Sequence, residues 1–397
     1  MCNKKLRLAV VSQIRIENPR VLHGKIISEC KSLASLLDFC MLICLNRLNR
    51  VINLVIPLEN GRRLEIISIP TGIDDKKDIL GLLLEYLKMQ LKLLIKLILL
   101  IKERKINLIR VENIFLLGLP VFISSKLTGV KYISWLGGNE LNAIQYKMML
   151  RNSLIWTIIK IIYKICGLLV VSGAKIIIVL SKDLSEIAQS FKAKEIVHIY
   201  NYVDLQKFKP AYKSSQNIKR LLYVGRLSYE KGIFVLLEAF KKIADEMKEI
   251  ELWIIGDGIL RERVKKFIIS NNLSRRVKLF GLRSHDEMPF IYAQASVFVL
   301  PSFTESCPAS LLEAMASGLI VIANDVGCIH EIIMDGIDGF IISKDKIGDP
   351  NFLKEKIKQV FAIDPIDRVR IRENARNKVE CISKNFLEKT LQIYMKI

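Results

Sequence analysis

RLLYVGRLSYEKGIFVLLEAF, residues 220–240, holds one strand, one turn and one helix in a single line. RLLYVG (220–225) is an apolar run of strand length that Gly225 breaks. A turn carrying Arg226 and Lys231 follows, and from Gly232 the apolar residues recur at helical spacing. A strand buried on both faces that feeds a helix is the repeating element of a covered parallel sheet. The alternation continues downstream. ELWIIG (251–256) precedes a helix over ILRERVKKFIISNN (259–272), and VKLFG (277–281), SVFVLP (296–301) and LIVIAND (319–325) are further strands.

Upstream the same grammar holds. RLAVVS (7–12) is a strand followed by a helix from about Gly24 to Leu37, and FCMLICL (39–45) is the second strand. LEIISIP (64–70) reads as the third, before a long helix that ends at Lys105. INLIRVE (106–112), KYISWLG (131–137), IIIVLS (176–181) and EIVHIY (195–200) complete the set, with a helix over LPVFISSKLTG (119–129). The polar stretch 200–220, with Pro210 and no apolar period, separates the two halves. The chain of 397 residues therefore divides into a first doubly wound α/β domain over 1–200, a linker over 201–219 and a second domain over 220–380. The last segment, 381–397, is a helix expected to pack back on the first domain.

Half of the residues are apolar and 25% are charged, which is a globular balance. The opening MCNKKLRLAVVSQI reads as charged residues ahead of a buried strand, not as a signal peptide. The eight cysteines contain no C-x-x-C pair, and with four histidines no zinc pattern emerges. Scattered cysteines fit a reducing, cytoplasmic setting. The first 200 residues carry 30 Lys and Arg against 15 Asp and Glu; the remainder carry 31 against 25. That asymmetry suits an anionic partner, although a coding bias toward Lys and Ile would produce it too. In YLKMQLKLLIKLILLIKERK (86–105), Lys88, Lys92 and Lys96 share one helical face. Two readings stand: a buried helix with a solvated lysine stripe, or a helix at a membrane surface with basic anchors.

Ligands of doubly wound sheets bind beyond the carboxyl ends of the strands, so the turns there carry the chemistry. In FTESCPASLLEAMASG (303–318), Pro308 suits a first helical turn, Ser306 or Cys307 its cap, and Gly318 its end. The amides near Ala309 and Ser310 then point outward and, with the helix dipole, form a seat for phosphate. Glu313, one turn further in, is placed to accept two hydrogen bonds from a vicinal diol such as ribose. Glu305 sits before the helix, within reach of hydroxyls beyond the phosphates. Arg226 and Lys231 can neutralise a diphosphate and stabilise it as it departs.

The two glutamates eight apart across a helix start, with G-R-L-x-x-E-K-G upstream (225–232), resemble the retaining glycosyltransferase family 4, the group 1 glycosyl transferases. IIGDG, VKLFG and DGIDGF (335–340) are similar as well. The resemblance is strong from about 200 to 345. It implies the GT-B fold, two Rossmann-like domains facing each other across a cleft. It implies a nucleotide-diphosphate sugar as donor and a carbohydrate or lipid-linked acceptor, in polysaccharide, lipid-linked oligosaccharide or glycolipid synthesis. By the resemblance, Arg226, Lys231 and Glu305 are catalytic and Glu313 holds the ribose. Leu282 and Arg283 lie near the base, and Gly225, Ser306, Cys307, Pro308, Ala309, Ser310 and Leu311 line the donor.

The first domain matches more loosely. ENPRVLHGKIISECKSLA (17–34) looks like a subset in which Asn/Asp-Pro-Arg-Val replaces a glycine-rich loop, and Arg20 lies in it. ISWLGGNEL (133–141) falls where many members have His-Gly-x-Asp; here Leu136 and Asn139 stand at the histidine and aspartate positions. Gly137, Gly138, Asn139 and Glu140 are the acceptor-side candidates. No D-x-D occurs, so no metal and no other cofactor is indicated. The implied transfer proceeds on one face of the sugar, with the departing diphosphate helping to deprotonate the acceptor. The expected setting is the cytoplasm, peripheral at an anionic membrane surface. An epimerase of the same plan would bring more acids and histidines, and a phosphorylase a pyridoxal lysine. A nucleic-acid binder would interleave its basic residues with aromatics, and no nucleic-acid partner is expected. Asp257-Gly258 reads as a turn or a contact, His285 as surface or site, His198 as a satisfied core residue, and Trp135 and Trp156 as core.

Overall fold

The computed structural model describes residues 5–15, 25–46, 51–71, 79–138, 154–210, 219–384 and 386–397. The first sheet contains β1 (Arg7–Arg15), β2 (Phe39–Asn46), β3 (Ile52–Pro57), β4 (Arg63–Pro70), β5 (Leu108–Glu112), β6 (Lys131–Leu136), β7 (Ile176–Val179) and β8 (Ile196–His198). Their order is β3-β4-β2-β1-β5-β6-β7-β8. Every pairing is parallel except β3 with β4. All eight residues of β2 are buried, as a strand covered on both faces requires.

LEIISIP is thus the core of the fourth strand, not the third. The strand before it, INLVIP, is an edge whose residues alternate between buried and more exposed. It has no continuous apolar run to announce it. The hairpin closes through Gly61, at φ 76°, whose amide donates to the Leu58 carbonyl at 3.0 Å.

Five described helices cover this sheet: α1 (Lys25–Leu36), α2 (Ile79–Glu103), α3 (Leu119–Thr128), α4 (Leu154–Gly173) and α5 (Lys182–Ser190). α3 packs between α2 and α4. On β5, Arg110 is fully buried. It donates to Glu29 on α1 and to Glu112, and its guanidinium lies 3.8 Å from the Trp135 ring centroid. A charge this deep is tolerated because carboxylates and a hydroxyl meet both of its terminal nitrogens.

The second sheet is built from β9 (Lys219–Val224), β10 (Ile250–Ile255), β11 (Val277–Gly281), β12 (Val297–Leu300), β13 (Ile320–Asn324) and β14 (Phe340–Ile342). Its order is β11-β10-β9-β12-β13-β14, parallel throughout. The chain moves outward one way from β9 and the other way from β12. The reversal between those neighbours is where such a sheet opens a crevice. Helices α6 (Ile233–Glu246), α7 (Arg261–Ser270), α8 (Met288–Ala293), α9 (Ala309–Ala316), α10 (Ile329–Ile332), α11 (Pro350–Ala362) and α12 (Pro365–Lys384) surround it.

The chain then returns to the first sheet through α13 (Phe386–Met395). Phe386 stacks on Tyr202 at 4.5 Å between ring centroids, Tyr394 accepts from Arg110 at 3.1 Å, and Lys131 Nζ donates to the Ile397 carbonyl at 2.7 Å. On α12, Arg376 donates to the carbonyls of Phe208 and Ala316, tying the 201–210 stretch to the helix that starts at Ala309.

Candidate donor site at the strand-order reversal

After β9 the chain turns through Gly225 and Arg226 into a 3-10 turn, Tyr229–Lys231, and enters α6 at Gly232. Gly232 sits at φ 64°, and a Cβ there would lie 1.9 Å from the Pro301 carbonyl oxygen. Only glycine allows that approach. The turn is also pinned by the Phe303 amide, which donates to the Glu230 carbonyl at 2.8 Å. So the end of β9 is clamped on the end of β12, and Lys231 meets Glu305. Lys231 Nζ is 2.7 Å from Glu305 Oε1, and Ser302 Oγ donates to the same oxygen at 2.8 Å. The two side chains are 17% and 8% exposed, so their attraction is only partly screened by water.

Arg226 lies apart from this pair. Its side chain is 72% exposed, with Glu230 3.8 Å away. Its backbone is held, since the Tyr223 hydroxyl donates to the Arg226 carbonyl at 2.8 Å. Asp257 belongs to the packing of the turns: its carbonyl accepts from Leu227 at 2.9 Å and its carboxylate pairs with Arg261 at 2.8 Å.

Glu305 leads to α9. Neither Ser306 nor Cys307 caps this helix, contrary to the expectation above. Pro308 is itself the cap, at φ −71° and ψ 119°, without a side-chain hydrogen bond. The proline ring fixes φ before the first turn, which moves the helix start on by one residue. Cys307 is engaged elsewhere: its carbonyl accepts from the Asn201 side chain and its sulfur from the Asn201 amide. Burial, then the neighbouring Cys307, push the Cys328 thiol far above its ordinary value, so it stays protonated. Ala309 and Ser310 open the helix, where amides have no acceptor within it. Ser317 and then Gly318, at φ 75°, close it.

Glu313 sits one turn in, 12% exposed. Its Oε2 accepts from the Tyr292 hydroxyl at 3.0 Å, and its Oε1 lies 3.0 Å from His285 Nε2. The Lys207 ammonium, 3.1 Å from His285 Nδ1, can only donate, which leaves Nε2–H to donate to Glu313. Lys207 is in turn paired with Asp286 at 2.6 Å. Burial, reinforced by the Glu313 carboxylate, pushes the Tyr292 hydroxyl well above its usual value and keeps it a donor. Tyr292 and Lys207 carried no sequence signal, and His285 was left open. Leu282, 76% exposed, and Arg283, paired with Glu287, precede His285 on the loop after β11.

Across the cleft, a Cβ on Gly138 would lie 3.1 Å from Ser306 Oγ, whereas Gly137 has open space around it. The loop after β6 therefore touches the loop before α9. Beside it is a cavity of about 240 Å³ shared by both domains, lined by Ser181 and Asp183 on one side and Glu305, Ser306, Asp325 and His330 on the other. Arg20, Asn139 and Glu140 lie outside the described residues. His198 is not a satisfied core residue: it is half-buried, 3.7 Å from Glu331, and its Nε2 makes no hydrogen bond among the described residues. Trp135 is core.

Residues 204–378 match the sequence model of the family described as Glycosyl transferases group 1. An uncharacterized glycosyltransferase of Methanocaldococcus jannaschii is 33% identical over 202 residues, 51% of this chain and 53% of that protein. The sulfoquinovosyl transferase SQD2 of Arabidopsis thaliana is 31% identical over 208 residues, 49% of this chain and 38% of that one. The chain thus spans about half or less of the length of these relatives. Among solved structures, sucrose-phosphate synthase from Thermosynechococcus elongatus superposes with a TM-score of 0.80 at 19% identity, over 98% of both chains. Anabaena HepE in complex with UDP and glucose does so with a TM-score of 0.70 at 16% identity, over 99% of this chain and all of that one. The fold is GT-B, and within it residues 204–378 match the group 1 glycosyl transferases.

Proposed function

We propose that this chain moves a sugar from a nucleotide-diphosphate donor to an acceptor hydroxyl with retention at the sugar carbon. The observation that carries the reading is the convergence of Lys231, Glu305 and the start of α9 at the strand-order reversal. Lys231 and the amides of Ala309 and Ser310 take the diphosphate, and Arg226, free to swing in from solvent, adds a second cation. Glu313 receives the ribose hydroxyls, its carboxylate aimed by Tyr292 and His285. The backbone at Leu282 and Arg283 borders the base. Glu305 receives sugar hydroxyls beyond the phosphates, held beside Lys231 so that contact with the sugar and contact with the leaving group are set together.

The chemical step needs charge held on the leaving diphosphate and an acceptor kept close on the same face of the sugar. Lys231 and the helix amides supply the first. The loop at Gly137 and Gly138, against Ser306, borders the second. The acceptor in this reading is a carbohydrate or lipid-linked hydroxyl, met in the cytoplasm at a membrane face. HepE is solved with UDP and glucose and with UDP-glucose, which supports a nucleotide-sugar donor here.

Thermal shift against a panel of nucleoside diphosphates tests the reading. At least one diphosphate raises the melting temperature at concentrations well above its dissociation constant, by mass action. Glu313→Ala abolishes the shift while leaving the unliganded protein folded. A chain that no nucleoside diphosphate stabilises, or whose Glu313→Ala variant shifts as wild type does, refutes it.

A further inference from the structure

Two helices of the first domain turn apolar side chains outward. On α2, Met89, Leu93, Leu97 and Leu100 are buried against the sheet, while Leu84, Leu87, Leu91, Ile95 and Leu99 on the opposite side are 47–57% exposed. On α4, Tyr163, Cys166 and Val170 are buried, while Ile158, Ile161, Ile162, Ile165 and Leu169 are 40–54% exposed. A surface helix ordinarily carries polar residues on its outer side. Here both helices flank α3, whose Leu127 is 68% exposed, so the outward aliphatics belong to one face of the domain. Single exposed leucines are ordinary on a soluble surface; a continuous face of them marks an interaction site.

We propose that this face docks on an anionic phospholipid bilayer. Exposed lysines border the aliphatics: Lys88 and Lys92 on α2, Lys126 on α3 and Lys164 on α4. The acid beside them on α2, Glu85, is already paired with Lys88 at 3.2 Å. Aliphatic side chains rimmed by lysines match acyl chains beneath anionic headgroups. The composition argues against a protein partner, because protein interfaces concentrate Trp, Tyr and Arg and are depleted in Lys, and the outward residues of α2 and α4 singled out above are all Leu and Ile. The geometry is that of a surface lying on the bilayer. The inner sides of both helices are packed on the sheet, and no helix among the described residues is long and apolar enough to cross a membrane. This deepens the reading of an acceptor held at a membrane and rests on it for purpose, although docking itself needs neither donor nor acceptor.

Flotation of the full chain with vesicles of phosphatidylcholine, with and without phosphatidylglycerol, tests the surface. Wild type floats with the anionic vesicles at low salt and less at physiological salt. Lys88→Gln with Lys92→Gln weakens binding about five-fold per lysine removed. The quadruple variant Leu91→Gln, Ile95→Gln, Ile161→Gln, Ile165→Gln weakens it more than ~100-fold and keeps the diphosphate-induced thermal shift. The proposal falls if wild type does not bind anionic vesicles at low salt, or if the quadruple variant floats like wild type. It falls equally if wild type is a dimer that the quadruple variant splits, because a second copy then covers the face. Should the quadruple variant not fold, the lysine pair decides. Vesicle binding without any diphosphate shift would instead sink the donor reading and leave this one standing.

Discussion

Replacing Lys231 by Met removes one partner of a nearly buried ion pair and should register twice. In the unliganded protein Glu305 then keeps, among the described residues, only the Ser302 hydroxyl at 2.8 Å. Breaking a fully buried pair from one side costs about 3–5 kcal/mol, and the residual exposure of Lys231 and Glu305 brings the expectation to roughly 2–3 kcal/mol. Glu305→Gln in the same chain removes the stranded charge, so the double variant should recover at least ~1 kcal/mol relative to additivity. With a nucleoside diphosphate present, loss of a charge-assisted contact worth about 1.5–3 kcal/mol predicts binding weakened roughly 10- to 150-fold. Denaturant unfolding of the four proteins of this cycle gives the first number and calorimetric titration gives the second. Two domains need not unfold together, so the cycle is read on the transition that the diphosphate itself raises. Additive single costs, within ~0.5 kcal/mol, together with a diphosphate affinity within ~2-fold of wild type, would show that Lys231 neither holds Glu305 nor meets the ligand.

Two further outcomes follow from the same domain. Gly232→Ala should cost more than ~3 kcal/mol, since the new Cβ would sit 1.9 Å from the Pro301 carbonyl oxygen, whereas Gly336→Ala, at φ 75° with open space around it, should cost only about 1–2 kcal/mol. Equal losses in thermal or denaturant unfolding would mean that backbone angle alone, not the clamp between β9 and β12, explains Gly232. For Glu251, burial pushes the carboxyl up, but hydrogen bonds from Arg220, Trp253 and Lys278 outweigh it and hold the group below the usual carboxylate range. A depressed native value means stability present above the unfolded value and lost as pH falls through the native one, so Glu251→Gln should lose less stability than wild type as pH falls below the usual carboxylate range. An unchanged slope there would remove Glu251 from the account of acid unfolding.

What could be read from the chain follows the range of the interactions involved. The parallel strands were legible because burial on both faces writes a continuous apolar run, as in FCMLICL. INLVIP was not, because an edge strand needs burial on one side only and its Asn53 interrupts the run. Glu305 and Glu313 drew notice because they stand eight apart across a helix start, a spacing local enough to read from the chain. Tyr292 and Lys207 did not, because Tyr292 meets Glu313 from an adjoining strand connection and Lys207 reaches it only through its partner His285, from the segment between the domains; His285 itself stood between surface and site. The long helix at 86–105 shows a third kind of limit. It is apolar almost all round, so its period does not say which side meets the sheet. Only the packing of Met89, Leu93 and Leu97 shows that side, turning Leu87, Leu91 and Ile95 outward beside the exposed Lys88 and Lys92.

The position of the site has a topological cause that the individual motifs do not express. Lys231 and Glu305 are 74 residues apart, yet bonded, because β9 and β12 are neighbours whose connections leave in opposite directions. Such a reversal of strand order is where the turns at the carboxyl ends border a crevice. Glycine then lets the turns approach closely. A Cβ on Gly256 would fall 1.9 Å from the Gly225 carbonyl oxygen, and one on Gly327 2.4 Å from that of Glu305. The loops after β9, β10, β12 and β13 are therefore stacked backbone on backbone. Such a floor has little side-chain freedom to lose when an anion arrives, and its amides are fixed in direction beforehand. A substitution at one of these glycines would move Lys231 or Glu305 without altering either, and would be expected to act on donor affinity through position alone.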